Sequence, residues 1–293
     1  MTLRSLYLKH RETVRIPLLL TPAVVVLVGL FAFGLFLGAA RSFGYSPYRD
    51  DNNVTLDHYR IVIENDRFVS SLLLTFQIAL ISTFLSMVIA VAIALVLRKR
   101  FRGSRLATFL FQVPLPVPHL VAASSILLLF TQSGVISRVL VSIGLTETPS
   151  DFPALTFDRF GVGIILSYLW KEVPFTGLVV LAVLKGIGPQ FEELAMSLGA
   201  SRWQRFRYVL LPLIMPGLMS SSIIIFAFAF SNYEIPLLLG VPDPAVLPVF
   251  SFRLFNDPDI ALRPQAMASA MVLAISALLF LIMYRRLAAR TLG

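Results

Sequence analysis

The chain has 293 residues, 57% of them hydrophobic and 14% charged, with a mean hydropathy of +0.82 and a formal net charge of +9. Soluble domains run at about 45–50% apolar and about 25% charged residues, so this composition excludes a soluble globular protein and points to one embedded in lipid. The absence of cysteine excludes disulfides, thiolate catalysis and cysteine-type zinc sites, and three histidines (His10, His58, His119) are too few for a His-rich metal site.

About 20 apolar residues suffice to cross a bilayer. Six runs meet that length: Ile16–Ala40, Phe68–Leu97, Leu106–Phe130, Phe160–Leu184, Leu213–Leu239 and Pro264–Tyr284. Lipid offers no partner to backbone N–H and C=O groups, so the runs must be helical. The first is longer than a signal-peptide core of about 7–15 residues and reads as a retained anchor. The third carries Pro114, Pro116 and Pro118 and is expected to break or kink there, because each proline removes a donor and crowds the preceding turn. Such a break either packs against neighbouring helices or lines a polar path.

Charge sets the orientation. The N-terminal segment, the second-to-third and fourth-to-fifth connections and the C-terminal segment hold sixteen basic residues against three acids, Glu12, Glu192 and Glu193. The opposite connections, 41–67, 131–159 and 240–263, hold eight basic and eleven acidic residues. The basic side is expected to be cytoplasmic, with both termini on it. The positive charge then reflects topology and attraction to anionic lipid, and nucleic acid is not an expected partner. The expected organisation is a cytoplasmic segment 1–15, one membrane domain 16–284 and a cytoplasmic tail 285–293. In the 131–159 connection, Val135, Ile136, Val139, Leu140 and Ile143 recur at helical spacing and predict a short interfacial helix.

Fourth in line, Lys171 and Glu172 fall near mid-span, where a charge costs about 2.5–3.5 kcal/mol on insertion scales. Either each meets a partner on another helix, or one faces a substrate path. Pro174 predicts a kink just beyond them. Near the outer end of the fifth span, Asn232, Tyr233 and Glu234 form a polar cluster closed by Pro236. Glu234 either reaches interfacial water or lines a path that attracts a cation.

The 185–212 loop carries helix punctuation. Gly188-Pro189 marks a start, and Glu192 and Glu193 suit the positive end of the helix dipole. Phe191, Leu194, Ala195 and Leu198 make an apolar stripe, and Gly199 supplies a left-handed stop. Ser201 is a plausible N-cap for a second helix carrying Trp203, Phe206 and Val209 on one side, with Arg202, Arg205 and Arg207 as its charges, and Leu211-Pro212 ends the loop. Two amphipathic helices joined at a glycine form a knob that either fits a groove on a partner or rests on headgroups.

The run Glu193-Leu194-Ala195, Gly199, Val209 and Leu211-Pro212 resembles the EAA loop of bacterial binding-protein-dependent ABC importer permeases, with Leu194 replacing an alanine and Val209 an isoleucine. The likeness extends over roughly residues 65–290, with the first span as an N-terminal addition. It implies an all-α polytopic fold of the type I ABC importer permease class, in a bacterial cytoplasmic membrane. It also implies ATP-binding-cassette ATPase subunits as partners, seated on a coupling loop in which Glu193, Ala195, Gly199, Arg202, Leu211 and Pro212 are the residues of interest. A second permease subunit, identical or homologous, and an extracytoplasmic solute-binding protein complete the implied assembly. No GxxxxGK[ST] phosphate loop occurs in the chain, in keeping with a subunit that is not itself an enzyme and holds no cofactor. The passage from Ser231 to Gly240 and LRPQAMASA look most like polyamine-type permeases, and resemble those for ferric iron, thiamine and phosphonate as well. On this reading Lys171, Glu172, Asn232, Tyr233 and Glu234 are candidates for the substrate path. A stand-alone ion-coupled secondary transporter would explain those charges but not the two-helix loop, and no inverted repeat is visible. An intramembrane enzyme lacks any nucleophile–base or metal-ligand constellation.

Overall fold

A computed structural model describes residues 3–45, 54–99 and 101–292, and side chains over 19–45, 54–99 and 101–286. The side chains of Arg4, Lys9, Arg11, Glu12, Arg15, Arg49, Asp50, Asp51, Arg100 and Arg290, whose charges enter the orientation, lie outside the described residues. Among the described residues the structure is helical without strands, and six segments are long and apolar enough to cross a membrane. They are Leu19–Ser42, Asp66–Leu97, His119–Ser142, Val162–Ile187, Arg202–Ser231 and Ile260–Arg286.

Two compact units are present, one formed by Met1–Val62 and Leu254–Met271 and the other by Ile63–Arg253 and Val272–Gly293. The first contains α1 (Leu3–Ser42) and most of α2 (Asp57–Ile63). Gly44 takes φ +93 after α1, turning the chain so that Phe43 accepts from the Thr55 N–H and packs its ring, tilted, 5.4 Å from that of Tyr59, whose hydroxyl lies 2.6 Å from Ser42 Oγ. The described apolar side chains of α1 from Leu19 to Phe33 are exposed, which suits a helix bathed in hydrocarbon.

The second unit is built on α3 (Asp66–Leu97), then α4 (Ser104–Gln112), α5 (His119–Phe130), α6 (Val135–Ser142), α7 (Val162–Ile187), α8 (Gln190–Ser197), α9 (Arg202–Arg205), α10 (Leu211–Ser231), α11 (Glu234–Leu239) and α12 (Leu247–Phe255). Most of α13 (Arg263–Leu292) also belongs to it, while α12 belongs to it only as far as Arg253. Two apolar clusters stack along α3, α7 and α10. One joins Leu74, Ile78, Ile164, Tyr168, Phe226 and Phe230; the other joins Ala94, Leu97, Val180, Leu184, Leu210 and Ile214. Between them, at the middle of the same helices, Ser86, Lys171, Glu172, Thr176, Ser221 and Ser222 are buried. In lipid the helices are held by close packing rather than by transfer from water. Gly177 shows how close: a Cβ there would lie 2.6 Å from the Phe111 ring of α4.

Prolines decide where the spans break. The third run divides, as its prolines predict, into α4 and α5 with a non-helical link at 113–118. The segment apolar enough to cross begins only at His119 and extends through α6, not over Leu106–Phe130. The fifth run is not one helix over Leu213–Leu239. It stops at Ser231 and restarts as α11, because Pro236 cannot donate to Asn232, four residues back, and its ring would crowd that carbonyl. Asn232 turns extended instead, and its side chain accepts from the Ile235 N–H at 3.0 Å. α7, by contrast, runs through Pro174 without interruption.

Candidate functional site

The non-helical link at 113–118 leaves backbone carbonyls with no helical donor. Lys171 on α7 supplies one: its ammonium donates to the carbonyl of Leu115 at 3.1 Å and to that of Val117. Glu172, the next residue, points elsewhere on the helix. Its Oε2 accepts from Ser86 Oγ on α3 at 3.1 Å, while Oε1 is buried with no hydrogen-bond partner. The two side chains are 8% and 4% exposed, and they bond to separate partners rather than to each other. Both line a cavity of about 230 Å³, together with Leu115, His119, Phe175 and Phe228. His119, first residue of α5, lays its ring 4.5 Å from Phe228. A larger, apolar cavity of about 620 Å³ lies beside the same proline link, lined by Pro114, Ser125, Trp170 and Pro174 among others.

The outer cluster is placed differently. Asn232 accepts from the Ile235 N–H in the first turn of α11, Tyr233 stacks on Phe252 at 5.0 Å, and Glu234 is exposed in the same turn. None of the three lines the cavity that holds Lys171 and Glu172.

The 185–212 loop folds into the predicted knob. Gly188 ends α7 at φ +73, α8 begins directly after Pro189, and Gly199 takes φ +79. Ser201 caps α9 in a reciprocal box with Gln204, at 3.3 Å and 2.7 Å. Leu194, Leu198 and Trp203 are exposed, as are Glu193 and Arg202, while Ala195 is half-buried. The loop gives way to the membrane helix at Leu211-Pro212 without a break in winding: α9 continues through a π-helical turn, Phe206–Leu210, into α10. Pro212 has no N–H for the carbonyl four residues back, so the ladder rewinds, and the Leu211 N–H donates to Phe206, five back.

One contact in this region is not visible in the sequence. Arg98, which caps α3, holds Glu192 of α8 through two parallel bonds of 2.8 and 2.9 Å. Read alone, Arg98 is one of five topological charges and Glu192 one of two dipole-complementing acids. Ser86 and the Leu115 and Val117 carbonyls were equally hidden, since a serine in a span ordinarily bonds its own helix.

The model of the family described as binding-protein-dependent transport system inner membrane component matches residues 82–293. The chain belongs to this family. Among similar proteins, it is 31% identical to the inner membrane ABC transporter permease protein YdcU of Escherichia coli over 226 residues, 74% of this chain and 71% of YdcU. It is 26% identical to the trehalose/maltose permease protein MalF of Thermococcus litoralis over 278 residues, 92% of each. YnjC of Escherichia coli is 29% identical over 79% of this chain, which spans only 43% of that longer protein. In fold, the chain matches a bacterial ABC transporter involved in import of the acidic polysaccharide alginate, with a TM-score of 0.76 at 20% identity over 96% of this chain and 99% of the other. As a member of this family it is a multi-pass permease subunit of an ABC importer in the inner membrane, and a non-catalytic one. The polyamine branch is not singled out by the relatives: those named for a cargo include permeases for trehalose or maltose, sulfate and diacetylchitobiose, and the alginate importer.

Proposed function

We propose that this permease forms, with a second permease subunit, a path for a small solute handed over by an extracytoplasmic solute-binding protein. ATPase subunits seat on the 185–212 knob, where Glu193, Ala195, Gly199, Arg202, Leu211 and Pro212 shape or face the seat, and their closure drives the change of access. The observation that carries this reading is the knob itself: a glycine-divided pair of helices with Leu194, Leu198 and Trp203 exposed on the basic side of the chain. That side, with the segments 1–15 and 285–293 flanking a 16–284 membrane domain, is read as cytoplasmic. One related structure was solved with a ligand-bound periplasmic protein, which supports the binding-protein step.

For the cargo, a small cation such as a polyamine is the reading favoured by Glu172. Its Oε1 is buried and unpartnered beside a cavity whose ammonium group, that of Lys171, is held by backbone carbonyls. Asn232, Tyr233 and Glu234 would then serve the outer entrance. A sugar or oxyanion is the second reading, favoured by the cargoes of the named relatives. Purification of the tagged permease from its native membrane, followed by uptake of labelled spermidine, trehalose and sulfate into vesicles, separates these readings. Retention of an ATPase and saturable spermidine uptake are expected; a permease purified without any ATPase overturns the coupling reading, and uptake of trehalose or sulfate alone overturns the cationic one.

A further inference from the structure

α8 is a helix with little to hold it. It buries no side chain, and a left-handed glycine lies at each end, Gly188 at φ +73 and Gly199 at φ +79. A Cβ at Gly199 would meet nothing within 4 Å, so packing does not fix the turn there. Against this, the first turn of α8 is clamped to the end of α3 by the two-bond contact of Glu192 with Arg98. Each charge sits where its own helix favours it, the guanidinium at the C-terminal end of α3 and the carboxylate at the N-terminal end of α8. Both side chains are about a fifth exposed, 21% and 20%, so the pair is less screened than a surface ion pair.

We propose that Arg98–Glu192 is the strut through which force on the knob reaches the membrane interior, and that both are positioning residues for transport. The proposal rests on the coupling reading above. A displacement of α8 pulls on the C-terminal end of α3, a 32-residue helix packed along α7. Twelve residues up that helix, about 18 Å at its rise per residue, Ser86 holds Glu172 beside the cavity. A push at the cytoplasmic knob is thereby delivered to the buried carboxyl group, while the glycines let α8 pivot without straining α7 or α9.

The test compares Arg98→Glu, Glu192→Arg and the exchanged pair R98E/E192R in the full complex with its ATPase in vesicles. Solute moved per ATP hydrolysed is the main readout, because a merely structural defect lowers both together. Single variants are expected to keep the ATPase bound but lose about 2- to 30-fold in that ratio, the span of coupling changes seen for residues along such networks. The exchanged pair should recover most of it. Since the chain has no cysteine, a spin label on Leu198→Cys supplies a second readout that needs no transport. Its mobility should rise in the singles and return in the exchanged pair. Singles with an unchanged ratio, or an exchanged pair no better than its parents in both readouts, overturn the strut. Complexes that hold no ATPase even with wild-type Arg98 and Glu192 overturn the coupling reading instead.

Discussion

Lys171 and Leu115 are 56 residues apart in sequence, yet the ammonium of one lies 3.1 Å from the backbone carbonyl of the other. A charge that looks costly at mid-span is thus engaged by the carbonyls that a proline-broken segment exposes. Lys171→Met should leave two partly buried acceptors without this donor, at up to about 1–3 kcal/mol each. The purified protein is expected to melt at lower temperature, with Lys171→Arg intermediate. Thermal unfolding in detergent checks this, and an unchanged midpoint for the methionine variant removes the bracing role.

Glu172→Gln preserves an acceptor for Ser86 and the shape of the side chain. If the cavity receives a cation, uptake should fall roughly tenfold to a hundredfold, the value of hydrogen bonds to charged groups. Glu234→Gln, at an exposed position, should change uptake much less. Equal uptake by both variants and wild type, measured with labelled spermidine, removes Glu172 from the path.

At Gly199 a side chain meets open space but a left-handed backbone. A β-branched residue there bears about 1–3 kcal/mol of strain. Gly199→Val should insert and accumulate normally yet lose ATPase stimulation and transport, whereas Gly199→Asn should retain much of both. Wild-type coupling in the valine variant contradicts the role given to this turn.

Pro212→Ala returns a donor to the helix just beyond the π-helical turn. Regular α winding then becomes available to 206–210, and a shift of one residue rotates α9 by about 100°. Maleimide labelling of Trp203→Cys should change in that background, along with coupling. Identical labelling rates with and without the proline show that the π turn has another cause.

The knob was legible in the sequence because its signals are local. A glycine stop, a serine cap and acids in a first turn each act within a few residues; the glutamine that completes the cap, Gln204, came only from the structure. The loop does end at Leu211-Pro212, where α10 begins, but the unbroken run of α9 into α10 was not legible, because a helix can absorb a proline by rewinding one turn. The split at Asn232 followed from Pro236 four residues on, yet the apolar run through Leu239 masked it.

The membrane class, the number of apolar segments, the proline break at 113–118 and the glycine-divided knob follow from local residue patterns, since hydropathy and backbone chemistry are properties of short stretches. Tertiary structure alone decided the partners of the buried charges. Lys171 could have faced Glu172, a neighbouring helix or a path; packing of α7 against the proline link and α3 gave it carbonyls, gave Glu172 to Ser86, and gave Glu192 to Arg98. Those choices join residues 54 to 94 positions apart. They depend on helix rotation and close approach in three dimensions, which no local pattern of residues encodes.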